Sequence, residues 1–448
     1  MPRSIAPLHA DPKAPPTAGR ADGTRMSALQ RLLFAVLGLA LALLPALPAH
    51  AANELRILTS MPPALFQPYK EAFEAANPGT YVLVLNKHTG AALEEVVRGN
   101  PRHFDIFWAS APEAFSILAS HDAFASARTQ ETVCPATGGR GYRPFALSSI
   151  GWTRRADSSL FMPGDWNDLL LPAYRERIGM ARPSRSGTMH MLVERFLQVR
   201  GWNEGWSYFL ALSENLSTLT SRSFGVIDGV RSNRFDIGIT IDFLAVSAQP
   251  DLIFRYGKPV MIFPAQIGIL ASGQAGDLAC AFVAHLLSDE GQRVLLDPAI
   301  GRVPIARTIH EADPDNVPRE IREAMRLPWL AYDAELARDR YWAVNGLFDI
   351  FISDVLPERR ALWDRYRRLE AQGASIRLAL IHDMLTTLPV PETLATSSEL
   401  NDLPLRITNL TAQTERQKAA LEAWREAALN QLAAIDAALV ALEDGASP

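Results

Sequence analysis

The chain of 448 residues holds only two cysteines, Cys134 and Cys280. Two thiols can supply neither a disulfide framework nor a cysteine-rich metal site. Whether they pair with each other in an oxidising compartment stays open at this level. Histidine offers little more, because the nine histidines are scattered, with no pair at metal-ligand spacing on one helix. Also missing are a Gly-x-Ser-x-Gly elbow, a Gly-x4-Gly-Lys-Ser/Thr phosphate loop, a His-Glu-x-x-His helix and a Gly-x-Gly-x-x-Gly turn after a strand. Those gaps remove the commonest hydrolases, nucleotidases, zinc proteases and dinucleotide enzymes. An excess of basic charge is lacking too: the formal net charge is −5, which argues against a surface that holds nucleic acid by neutralising phosphates.

What is present is the composition of a folded globular protein, 48% hydrophobic and 21% charged with a mean hydropathy of +0.01. Near the N-terminus, Arg31 precedes an apolar run over residues 32–44, followed by Ala49-His50-Ala51. A basic start, a short apolar stretch and a small-residue site are the marks of a secretory signal peptide, here expected to be cut after Ala51, with Met26 an alternative start. The competing reading is an uncleaved anchor helix, which Pro45 and Pro48 interrupt. No later stretch is long and apolar enough to span a bilayer, so an exported, periplasmic protein is expected.

Beyond residue 52 the chain alternates short apolar strands with helices. Strands are expected at 55–59, 81–85 and 105–108, each followed after a turn by helical spacing, at 65–76, 91–98 and 113–120. A second series follows an extended segment at 145–152, with helices at 165–174, 188–199 and 204–213 and strands at 178–181 and 237–241. An extended segment over 260–270 and helices at 277–287 and 290–296 then return to the first series. The pattern gives an α/β fold of two lobes: lobe one from 52–150 plus 258–310, lobe two from 151–257, with residues 1–51 as leader. From 311 to 448 only helices are expected. The last carries Leu421, Trp424, Ala428, Leu432, Ile435, Leu439 and Leu442 as an amphipathic or coiled-coil seam. Packing of that seam within its own chain is the expectation, against docking on a membrane partner.

The chemistry concentrates in loops that follow strands, where open α/β sheets place ligands. Ser60, Thr89, Ser110 and the run Ser184-Arg185-Ser186-Gly187-Thr188 each stand just before a helix. Hydroxyls at such positions either cap the helix or, where several loops converge, complete an anion cradle with its backbone N–H groups. Arg185 and Arg222 bring guanidinium forks that match carboxylate or phosphate. Asp242, at the end of a strand, is a candidate acceptor for ligand hydroxyls.

These residues sit in longer motifs: Leu58-Thr59-Ser60-Met61-Pro62, the segment from Phe104 to Ser110, Pro183 to His190, Arg222 to Val230, Gly238 to Phe243, Leu287 to Gln292 and Tyr341 to Asn345. Together they resemble the periplasmic solute-binding proteins of ABC importers, type II topology, and within them the branch that handles phosphoglycerate and sugar phosphates. The resemblance spans about residues 53–370. It implies a two-lobed type II fold closing on a ligand, here with a C-terminal helical extension. Carried over motif by motif, it implies a ligand site at Ser60, Thr89, Ser110, Arg185, Ser186, Thr188, His190, Arg222, Ser223 and Asp242. The implied function is non-enzymatic capture of a small anionic solute, phosphorylated or carboxylated, for an ABC permease or a sensor kinase, by a monomer without cofactor, metal or nucleic acid. Two alternatives stand beside it. One is a ferric or other metal-ion binder of the same fold, against which weighs the lack of the adjacent tyrosines that ferric binders use. The other is an exported enzyme on this scaffold.

Overall fold

A computed structural model describes residues 53–312, 314–326, 332–373, 375–401 and 414–444; the expected signal segment and its cleavage point after Ala51 lie outside them. The strands are β1 (Asn53–Thr59), β2 (Thr80–Asn86), β3 (Ile106–Ala109), β4 (Tyr142–Arg155), β5 (Ile178–Ala181), β6 (Leu216–Thr220), β7 (Ile237–Ile241), β8 (Leu252–Tyr256), β9 (Ile262–Ile269) and β10 (Val303–Pro304). They run in the order β2-β1-β3-β9-β4-β7-β5-β6, with β8 and β10 also on β4. Parallel pairs, β2-β1-β3 at one end and β7-β5-β6 at the other, flank the antiparallel β9 and β4. Helical crossovers between parallel strands cover the sheet on both faces.

The long β4 belongs to both lobes. Its first part pairs β9 as far as Ser149, opposite Ile262, and from Ile150 onward it pairs β7 and β8. Leu55, Ile57, Phe145, Ile267 and Phe282 are buried in the lobe-one core, whereas Trp152, Met180, Phe196, Trp206 and Ile239 are buried in that of lobe two. The cleft therefore lies where one strand leaves one core and enters another. Cys134 and Cys280 are disulfide-bonded, with Cα atoms 5.5 Å apart, joining the segment before β4 to the helix Gly276–Leu287.

Over 165–174 the structure shows two short 3-10 turns, Asn167–Leu170 and Pro172–Tyr174, in place of the expected helix. Pro172 lacks the N–H that an α-helix would need there. Local carboxylates stabilise the turns instead: Asp165 accepts from the N–H of Asn167 and Asp168 accepts from that of Gly164.

The C-terminal helices pack on lobe two. Val344, Leu347, Phe348, Phe351, Leu421, Trp424 and Ala428 enter its core, and Leu432, Ile435 and Leu439 form a second cluster with Leu362, Trp363, Tyr366 and Leu385. The seam of the helix Glu415–Glu443 is thus buried within its own chain. The buried Arg340 pairs with the equally buried Glu194 at 2.6 Å, tying the same region to lobe two. Removing either partner would strand a buried charge.

Candidate functional site

The cleft holds a cavity of about 50 Å³. From lobe one come Ser60, beyond the end of β1, Thr89, opening the helix Thr89–Val97, and Ser110, beyond β3. Lobe two contributes the loop Arg185 to Thr188, together with Arg222 and Ser223. Eight of the ten sequence-derived residues therefore surround one space. Their neighbours Thr59 and Ser184 do not line it. The Thr59 hydroxyl donates to the Trp108 carbonyl at 2.8 Å and accepts from the Met61 N–H, a turn-stabilising role.

Capping and lining coexist at Ser186. Its Oγ accepts from the Met189 N–H at 3.2 Å, capping the helix Gly187–Arg200, and lies 2.8 Å from the Ser223 hydroxyl. His88 caps Thr89–Val97 in the same way, its Nδ1 accepting from the Ala91 N–H at 3.2 Å. Burial lowers the His88 pKa, helped by the charges of Arg185, Arg222 and Lys87. Held neutral with Nδ1 as acceptor, the ring carries its proton on Nε2, a donor for a ligand.

His190 and Asp242 do not line the cavity. His190 is fully buried, its Nδ1 3.1 Å from the Asn345 Oδ1 and its ring 4.3 Å from that of Tyr341. Desolvation pushes its pKa down to about 3. Asp242 accepts from the N–H groups of Ser149 and Phe243, both at 2.8 Å, and from the Tyr256 hydroxyl at 3.5 Å. The acceptor capacity assigned to ligand hydroxyls is thus directed at the protein itself. Burial raises its pKa to about 7, opposed by the two backbone donors and by the charge of Arg302.

Arg302 is the residue the sequence reading missed. It lies just before β10, which pairs with β4 at Ala146 and Leu147 and so carries Arg302 to the base of the cleft. Its guanidinium is buried, donates to Ser110 Oγ at 3.0 Å and to Ser148 Oγ at 3.4 Å, and stacks on the Phe243 ring at 3.7 Å. Its Nε has no hydrogen-bond partner among the described residues. Desolvation lowers its pKa to about 10, so it stays cationic at neutral pH, with Asp242 favouring the charge. The isolated Gly301-Arg302 dipeptide carries no hydroxyl-rich pattern, and only pairing with β4 reveals it.

Arg302, Arg185 and Arg222 line the cavity together with hydroxyls and the rings of Phe224 and Phe243, and among the described residues no carboxylate lines it. Buried polar atoms without partners are costly, and a positive, donor-rich hollow is neutralised by an anion. The lobes touch here. Arg222 donates to Asn86 Oδ1 across the cleft at 3.0 Å, and a Cβ on Gly187 would lie 2.7 Å from that of Ala111 and 3.0 Å from Thr89 Oγ1.

Residues 57–297 match the family model of bacterial extracellular solute-binding proteins. The chain is 32% identical over 335 residues to the phosphoglycerate transport regulatory protein of Salmonella typhimurium, covering 72% of this chain and 82% of that one. Among solved structures it resembles the fructose-6-phosphate-bound periplasmic binding protein AfuA from Actinobacillus pleuropneumoniae, at 18% identity and a TM-score of 0.51, covering 57% of this chain and 86% of AfuA. It also resembles apo ferric ion-binding protein A of Pasteurella haemolytica, at 14% identity and a TM-score of 0.52, covering 66% and 97% of the two chains. At those identities the structural likeness establishes the two-lobed fold, which is shared by binders of different cargo. These relatives are binding and transport-regulatory proteins rather than enzymes, and among the described residues no helix is long and apolar enough to cross a membrane. With more than half its length matched by the family model and a curated relative aligned over most of both chains, this protein is a member of the bacterial extracellular solute-binding protein family.

Proposed function

We propose that this protein captures a small organic anion, of the phosphoglycerate or sugar-phosphate type, between its lobes and presents it to a membrane ABC permease or sensor kinase. The observation that carries the reading is Arg302: a buried guanidinium at the base of the cleft, its Nε unpartnered among the described residues, in a cavity where these residues supply two further arginines and no carboxylate. A desolvated cation of this kind discriminates strongly for a carboxylate or phosphate. Ser60, Thr89, Ser110, Ser186, Thr188 and Ser223 supply the surrounding hydroxyls, and His88 adds a neutral donor. The phosphoglycerate regulatory relative supports the phosphorylated class. Lining guanidiniums disfavour a ferric ion in the same cavity. His190 and Asp242 act from behind it, fixing the helix Tyr341–Phe348 and the end of β7. Export with cleavage after Ala51, lobes divided near residues 150 and 258, and action as a monomer complete the reading.

Calorimetric titration of the purified chain with 3-phosphoglycerate and with a hexose phosphate tests it. Stoichiometric capture without turnover is expected, with a fall in radius of gyration because the ligand contacts both lobes. Product formation, or no heat with either anion and with inorganic phosphate, overturns it.

A further inference from the structure

A second cavity, of about 490 Å³, adjoins the first. His88 and Arg185 line both, so these side chains form a shared boundary between the two spaces. Lobe one supplies one wall through the helix Thr89–Val97, including Glu94. The C-terminal helices supply the other, with Tyr341, Trp342, Asp349, Asp354 and Arg425. Those helices lie beyond residues 57–297, the stretch matched by the family model.

We infer that the second cavity is the subsite for the carbon body of the ligand, and that the solute is an anion attached to a hydroxylated ring or polyol larger than three carbons. The inference rests on the anion reading above and extends it. Size supports it first: a water needs roughly 10–15 Å³ of such volume, so the arginine-lined cavity has room for an anionic head and little else. A three-carbon acid would leave the larger space unfilled, whereas solute sites commonly bury most of their ligand.

The chemistry of the wall points the same way. Tyr341 and Trp342 offer apolar ring surface, and Trp342 is held in place against Trp424, their ring centroids 5.5 Å apart. A platform already ordered loses little entropy when a ligand settles on it. Glu94, Asp349 and Asp354 present carboxylate oxygens as acceptors for hydroxyls, the first paired with Arg98 and the other two with Arg182, while Arg425 donates from an exposed position. Acceptors, a donor and flat apolar surface together suit a polyhydroxylated body. An occupant would also touch both lobes, so it would favour their closure along with the anion.

The test is a ladder of probes titrated into the full chain: inorganic phosphate, glycerol 3-phosphate, glucose 6-phosphate and inositol 1-phosphate. At least one six-carbon ester is expected to bind about tenfold or more tightly than glycerol 3-phosphate. Trp342→Ala and Arg425→Ala are each expected to remove most of that gain while leaving inorganic phosphate and glycerol 3-phosphate unchanged. Arg425 is exposed, so its variant tests the subsite even if Trp342→Ala fails to fold. Equal affinity for three- and six-carbon esters, or a gain that survives both substitutions, overturns the inference and leaves the anion reading intact. If no phosphate ester and no inorganic phosphate binds, both fall together.

Discussion

The base and the rim of the cleft carry the same kind of charge and hold it differently. At the base, Arg302 is 1% exposed and fixed by two serine hydroxyls and the ring of Phe243. At the rim, Arg222 is half-buried, reaching across to Asn86, and Arg185 is exposed. A charge already stripped of water interacts strongly with an arriving anion and needs little reorganisation. A solvated one is screened, and its side chain must be ordered on binding. Arg302 is thus expected to set affinity, and the rim arginines to set the rate of capture and the stability of the closed state.

The sharpest way to break this contrast is Arg302→Ala. Loss of a buried charge from the site is expected to weaken 3-phosphoglycerate binding by about 2–5 kcal/mol, seen mainly as faster release. Arg302→Lys should recover only part, because the ammonium cannot reproduce the flat stack on Phe243 and the fork to Ser110 and Ser148. If calorimetry gives wild-type affinity for Arg302→Ala, the base is not the anchor.

Next in size is closure itself. Gly187 opens a lobe-two helix against Ala111 and Thr89 of lobe one, and a Cβ there would meet atoms at 2.7 and 3.0 Å. Gly187→Val is therefore expected to oppose closure by about 1–3 kcal/mol. The ligand-free melting temperature should change little if the lobes can part. Scattering should show a larger radius of gyration with saturating ligand than for the wild type. An unchanged affinity would mean that the lobes do not approach this closely in the bound state.

How much of this was legible before the structure depends on what each residue needed. The strand-turn-helix grammar at 55–59, 81–85 and 105–108 is local, and β1, β2 and β3 follow it to within a few residues. Hydroxyls before helices are local signals too, which is why Ser60, Thr89, Ser110, Ser186 and Thr188 could be named and now line one cavity. The strands β6 and β8 escaped notice because five residues of mixed polarity carry little periodic signal. Arg302 escaped because its burial is set by β10 pairing with β4, across more than 150 residues of sequence. His190 and Asp242 were chemically plausible, and sequence alone could not show that the Nδ1 of the first and both carboxylate oxygens of the second already face partners within the protein.

At the rim the effects should be smaller and ranked by exposure. Arg222→Ala is expected to lower affinity about tenfold, by removing both an anion contact and the bond to Asn86, with Asn86→Ala reproducing the closure component. Arg185→Ala is expected to cost only a few-fold, chiefly in association rate and with a flatter salt dependence. Stopped-flow titrations at two ionic strengths separate the two. If Arg185→Ala costs more than Arg302→Ala, the division between base and rim is inverted.

The smallest effect expected is a pH dependence at the base. Asp242 is buried beside the site and its pKa is raised to about 7. A carboxyl whose folded pKa lies above its unfolded value binds more protons when folded. Its contribution is therefore favourable at low pH and is lost as pH rises from about 4, the unfolded value, through about 7. The same sign holds for the ligand: above pH 7 the ionised Asp242 offsets part of the Arg302 charge, so a bound anion is held less tightly, by about threefold between pH 6 and 8. A phosphate monoester gains charge over that range and masks the trend, so the measurement uses a carboxylate ligand such as glycerate. Asp242→Asn keeps an acceptor at one of the two backbone donors and cannot ionise, so its affinity profile should be flat. A wild-type profile that is equally flat, with Asp242→Asn binding no differently at pH 8, would show that the carboxyl stays protonated throughout and that Arg302 acts at the base without a counter-charge.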